Sequence, residues 1–67
     1  MWRDITPGVI SDPEVLGGRP ILRGRRIAIS QLVDQLAGGM KLNEIKDDYQ
    51  LTDEEIHALL NYIAQVV

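Results

Sequence analysis

At 67 residues the chain is long enough for one small domain, and a domain of that size buries only about 60 % of its unfolded surface. It has no cysteine and one histidine, which excludes a disulfide framework, a thiolate zinc site and an all-histidine metal site. The net charge of -3 is unevenly spread: residues 1–29 carry five basic and three acidic groups, residues 30–67 two basic and seven acidic.

No stretch approaches the roughly 20 apolar residues of a membrane span, and the start of the chain lacks the basic-then-apolar layout of a signal peptide. The expectation is a soluble cytoplasmic protein, with oligomerisation as the remaining support for a thin core.

Residues 1–11 hold a short apolar start, Pro7-Gly8 and a second apolar pair, Val9-Ile10, which predicts an edge strand or an ordered arm. Trp2, the sole tryptophan, is expected to cover a thin core or an interface and not to bind a ligand. Asp12-Pro13 followed by Gly17-Gly18 predicts one helical turn with a stop, a connector and not a phosphate loop, because the glycines close the turn.

In residues 19–30 two short apolar runs flank Gly24 in a nest of arginines. Ile21-Leu22 on one side and Ile27 with Ile29 on the other predict a tight β-hairpin, with Ser30 as the N-cap of a following helix. Arg19, Arg23, Arg25 and Arg26 are four of the chain's seven basic residues within eight positions.

Leu32, Val33, Leu36 and Ala37 follow helical spacing from Ser30 until Gly38-Gly39. Leu42, Ile45 and Tyr49 mark one face of a second short helix whose N-cap is poor. Thr52-Asp53-Glu54-Glu55 is a capping box, with Leu51 placed to staple onto Ile56. The third helix starts at Asp53, and Ile56, Leu59, Leu60, Ile63 and Val67 form its expected core stripe.

Ala58, Tyr62 and Val66 add apolar surface on a neighbouring flank of that helix, so that eight of residues 58–67 are apolar. Two readings stand: a self-association or partner surface involving Trp2, Leu59, Tyr62, Ile63 and Val66, or a flank covered by the hairpin.

The arginines suit an anionic partner, since guanidinium groups bind phosphate and carboxylate bidentately. Four phosphate contacts would give a salt slope of roughly -3.6. The competing reading is internal, with Arg23 or Arg26 paired to Asp12, Glu14 or the acidic helices. His57, Asn61 and Gln65 form a polar stripe of types able to read base edges, or the solvated face of an amphipathic helix. Asp47, Asp48 and Asp53 lack calcium-loop spacing, and His57 has no partner for a nucleophile or a metal, so neither a metal, a cofactor nor an enzyme is expected.

The whole reads as a single domain over residues 1–67: an arm, a one-turn helix and a β-hairpin over 1–29, then a three-helix unit over 30–67. Tight connections suggest a helix-turn-helix, with the Leu42–Asp48 helix first and the helix from Asp53 in the recognition position.

The ordered string Ile10, Asp12-Pro13, Val15, Gly18-Arg19-Pro20, Ile21, Arg23-Gly24, Arg26-Ile27, Ala37-Gly38-Gly39-Met40, Glu44-Ile45, Asp48-Tyr49 and Leu51-Thr52 resembles the family catalogued as domain of unknown function 433, over residues 10 to about 64. Against the family's usual motifs, Arg19 replaces Lys, Arg25 replaces Thr, Ala28 replaces Pro, and Lys41-Leu42 replaces Ser-Pro. The resemblance implies a mainly α, homeodomain-like fold and a non-enzymatic, antitoxin-like role beside a PIN-like ribonuclease toxin. Combined with the two-ended charge, it predicts a dimeric regulator that binds the toxin and, as a complex, double-stranded operator DNA; the alternative is a protein-interaction or dimerisation module without DNA.

Overall fold

The computed structural model describes residues 2–66 and, of Val66, the backbone alone. Three short strands lead into three helices: β1 (Arg3–Thr6), β2 (Val9–Ser11), β3 (Ile21–Leu22), α1 (Ile29–Ala37), α2 (Leu42–Tyr49) and α3 (Asp53–Val66). The strands form one antiparallel sheet in the order β1-β2-β3.

The predicted arm is a full hairpin. Gly8 supplies the positive φ of +82° at the turn, Asp4 pairs with Ile10, and Thr6 pairs with Val9. The register slips between Asp4 and Thr6, so Ile5 is unopposed and stays in solvent while Thr6 turns inward. Thr6 is 8 % exposed and its hydroxyl has no hydrogen-bond partner among the described residues. An unpaired buried hydroxyl costs about 1–3 kcal/mol. Thr6→Val, which keeps the shape and removes the orphan, should therefore stabilise the chain by roughly 1 kcal/mol in urea titrations; a loss of stability would show that the hydroxyl is satisfied.

The expected one-turn helix at Asp12 is instead two successive turns. Asp12 Oδ1 accepts the Glu14 N–H at 2.9 Å and the Asp12 carbonyl accepts the Val15 N–H at 2.9 Å, closing a tight turn. Leu16, Gly17 and Gly18 then all have positive φ, +50°, +68° and +83°, a left-handed run that a right-handed helix cannot contain. Ser11 Oγ donates to the Gly18 carbonyl at 2.6 Å and holds this loop against β2.

The arginine-bearing hairpin forms, but less of it is strand than the alternation predicts. β3 pairs with β2 through Val9–Leu22 and Ile10–Ile21, and beyond Gly24 the chain returns only as a bridge between Ile21 and Ala28. Ile29 is the first residue of α1 and Ala28 holds the N-cap position, so Ser30 lies inside the helix and does not cap it. The reason is periodicity: Ile29, Leu32 and Leu36 share the helical spacing, and Ile29 and Leu32 are buried in the main core as part of it.

α1 stops at Gly38-Gly39 as the sequence predicts, with the Gly38 N–H on Asp34 O. At the poorly capped start of α2, Glu44 Oε1 accepts the Lys41 N–H at 2.8 Å, the half of a capping box that a lysine permits. α2 ends on Gln50 at φ +52°. The capping box of α3 is complete: Thr52 Oγ1 accepts the Glu55 N–H at 3.1 Å, and Glu55 Oε1 accepts the Thr52 N–H at 2.9 Å.

Val9, Leu22, Ile29, Leu32, Ile45, Leu51, Ile56 and Leu59 make the main core between sheet and helices. Leu59, expected both in the core stripe and at an interface, is 0 % exposed and belongs to this core; Leu60, expected in the core stripe, is 43 % exposed. All three strands pack along α3, and the Pro7-Gly8 turn sits against Ala58. That packing draws the buried face of α3 toward Ala58 and Tyr62, rotates Leu60 outward, and leaves Tyr62 and Ile63 half-buried against the core. The expected roles of Val66 and Val67 side chains lie outside the described residues. Ile10, Ile21 and Ala28 are buried apart from the main core, so β2 and β3 are covered on both faces.

Candidate anionic-partner interface

The loop Arg23-Gly24-Arg25-Arg26 follows β3 with Gly24 at φ +78°, and its neighbouring arginines are put to opposite uses. Arg25 folds inward. Its Nε and Nη2 donate to the two carboxylate oxygens of Glu55, each at 2.8 Å, while Nη1 donates to Tyr49 O and Nη2 to Gln50 O, both at 2.9 Å. One guanidinium thus caps the C-terminus of α2 and clamps the first turn of α3, with four of its five N–H groups paired. Burial alone would push the Glu55 carboxyl up, but the Arg25 hydrogen bonds, the Thr52 N–H and the Arg25 charge outweigh it and hold the group below its ordinary 4.5.

The internal pairing expected as an alternative for Arg23 or Arg26 therefore falls to Arg25. Arg19, Arg23 and Arg26 are exposed, and none forms an ion pair among the described residues. The Arg23 guanidinium stacks 4.7 Å from the centre of the Trp2 ring, which is itself 42 % exposed. Arg19 Nε donates to Leu16 O at 3.2 Å, which fixes its stem beside the left-handed loop.

Two grooves meet at Arg23. One runs between the Pro7-Gly8 turn and α3, and is lined by Arg23, Thr52, Glu54, Glu55, His57 and Asn61 among others. His57 and Asn61 of the predicted polar stripe thus face the same groove as Arg23, while Gln65 is exposed farther along α3 and does not line it. The second groove lies over the outer face of the sheet, beside Trp2, Arg23 and Arg26. Acidic Glu54 and Glu55 line the first groove. Asp53, outside it at the start of α3, is held below its ordinary 3.8 by its hydrogen bond and ion pair with Lys46.

Sequence reasoning missed the Trp2–Arg23 stack, the Arg25–Glu55 clamp and the apolar floor of the second groove. Glu55 was visible as a capping residue, and nothing local to Arg25 points to a carboxylate thirty positions away.

The fold is a three-stranded antiparallel sheet followed by three helices, a small, mainly helical domain with its arginine loop directly after β3. The family model described as "Protein of unknown function (DUF433)" matches residues 9–63, and the chain belongs to that family. No curated protein and no solved structure matches it. No helix among the described residues is long and apolar enough to cross a membrane.

Proposed function

We propose that this chain is a non-enzymatic, antitoxin-like regulator that binds a PIN-like ribonuclease toxin and, as a dimer, operator DNA, with α2 and α3 in the helix-turn-helix positions. The observation that carries a binding role is the set of exposed arginines, Arg19, Arg23 and Arg26, left without carboxylate partners among the described residues in a chain of net charge -3. Exposed ion pairs contribute about 0–1 kcal/mol, so concentrating basic groups here is poorly explained by stability. Guanidinium groups on phosphates explain it better. The toxin itself comes from the family resemblance.

Because Arg25 is committed to Glu55, three arginines per chain remain for phosphates. The slope of log affinity against log salt should be roughly -2.7 per chain, at about 0.9 per contact. Fluorescence anisotropy with the upstream duplex, repeated from low to moderate salt, measures it. Arg23→Ala with Arg26→Ala should reduce the slope by roughly 1.8; an unchanged slope removes the loop from the DNA.

A second reading is favoured by Asp53 and Glu54, which are exposed at the start of α3 and would meet phosphates with like charge in an N-terminus-first docking. In that reading the arginines dock an acidic surface of the toxin and no DNA is bound. Retained toxin binding with no duplex binding by either the chain or the complex would establish it.

A further inference from the structure

The groove over the outer face of the sheet differs in kind from the one beside α3. Ile10 and Ile21 form its floor, Val15 and Trp2 its apolar sides, and Arg23 and Arg26 stand along it. Asp12 is the carboxylate that lines it, and one Asp12 oxygen is already taken by the Glu14 N–H. Arg25 lines it as well, but its charge is neutralised by Glu55. Arg23 and Arg26 therefore outweigh Asp12, and the groove is a cationic cleft with an aliphatic bottom.

Ile10 and Ile21 are already buried, but phosphates of a duplex would use the arginines and leave the exposed Trp2 ring and the half-buried Val15 uncovered. An extended peptide with carboxylates on either side of an apolar side chain uses both: the carboxylates reach Arg23 and Arg26, and the apolar residue covers Val15 and the Trp2 ring. Charge elsewhere on the chain sets the direction of approach. Residues 30–67 carry a net charge of -5, so an acidic partner is repelled by the helices and drawn to this face.

We infer that this groove binds an acidic peptide segment of a protein partner, anchored by one apolar side chain between Trp2 and Val15. The inference rests on the chain being a binding module, and it assigns Val15 and the Trp2 ring to a protein partner that engages the same two arginines.

A random twelve-residue peptide library displayed on phage, panned against the intact chain, tests it. Enriched peptides should carry several Asp or Glu around a Leu, Ile or Phe. As synthetic peptides they should perturb the fluorescence of Trp2, the sole tryptophan. Arg23→Ala and Arg26→Ala should each weaken such a peptide about tenfold, the scale of one charge-assisted hydrogen bond. Val15→Asn, which leaves the charge unchanged, should weaken it severalfold yet leave affinity for a 20-base-pair duplex unaltered; circular dichroism confirms that each variant is folded. Failure to enrich peptides, enrichment without acidic residues, or affinity insensitive to Val15→Asn overturns the inference. Peptide failure with duplex binding retained overturns this inference alone; failure of both overturns the binding role beneath it too.

Discussion

Gly8→Ala should remove about 2–5 kcal/mol of stability, enough to leave much of the population unfolded, since a domain this small rarely has more than roughly 3–5 kcal/mol to lose. Two separate costs combine. Gly8 has φ +82°, a conformation that costs a residue with a side chain about 1–2 kcal/mol. A Cβ there would also lie 2.7 Å from the Ala58 Cβ, an overlap between the β1–β2 turn and α3 that only backbone movement relieves. Overpacking of that kind costs about 1–3 kcal/mol. The position has little freedom to move, because the Gly8 carbonyl accepts the Arg23 N–H at 2.9 Å. Combining Gly8→Ala with Ala58→Gly should recover the overlap but not the backbone cost, and the second glycine adds about 1 kcal/mol of helix penalty. The two changes should therefore be less harmful together than their separate effects added. Urea unfolding of the four chains at low temperature measures this, and a Gly8→Ala chain within 0.5 kcal/mol of the parent, about the scatter of surface substitutions, would contradict it.

Arg25→Ala should cost about 1.5–3 kcal/mol, less than a fully buried pair because the Arg25 and Glu55 side chains are still 31 % and 18 % exposed. It takes the counter-charge from the Glu55 carboxylate, which keeps the Thr52 N–H, and removes the side-chain donors from the Tyr49 and Gln50 carbonyls. The pH dependence identifies the clamp. Glu55 titrates below its ordinary 4.5 in the folded chain, so above that pH it is ionised both folded and unfolded and its stabilisation is fully present. As the pH falls below 4.5 the unfolded chain takes up the proton first, and the contribution is lost as the folded value is passed. Arg25→Ala should therefore flatten the acid limb of the stability curve. Asp53, lowered by Lys46, acts in the same direction and leaves a residual slope. An acid limb as steep in Arg25→Ala as in the parent would mean that the Arg25–Glu55 bond is not formed in solution.

Features encoded within a few residues were legible in the sequence. Thr52 and Glu55 satisfy each other's backbone donors three positions apart, Gly38-Gly39 ends α1, and the polar-to-apolar spacing from Leu51 onward fixes the start of α3. Short windows misled where two periods fit. Ile27-Ala28-Ile29 alternates like a strand, but Ile29 also begins the spacing of α1, and burial with Leu32 decided the competition. Leu60 fits the stripe set by Ile56, yet which flank of α3 is buried depends on where the sheet lands, and only the approach of Gly8 to Ala58 fixes that. In the interface, the exposure of Arg23 and Arg26 fits the anion reading, while the inward turn of Arg25 depends on a corner built much later in the chain. Three basic letters within four positions give no sign of which one will be used internally.

The Arg25 clamp also bears on how the chain reaches its fold. The corner between α2 and α3 is local in sequence, but its fastener arrives from the loop after β3, 24 to 30 positions earlier. Helices and the capping box form from neighbouring residues, whereas this contact requires closing the intervening chain, α1 included, before any of its bonds is made. The corner between α2 and α3 is thus fastened by a contact that spans the whole of α1 and α2, and not by its own neighbours. One guanidinium therefore ties the arginine loop directly to both ends of the α2–α3 connection.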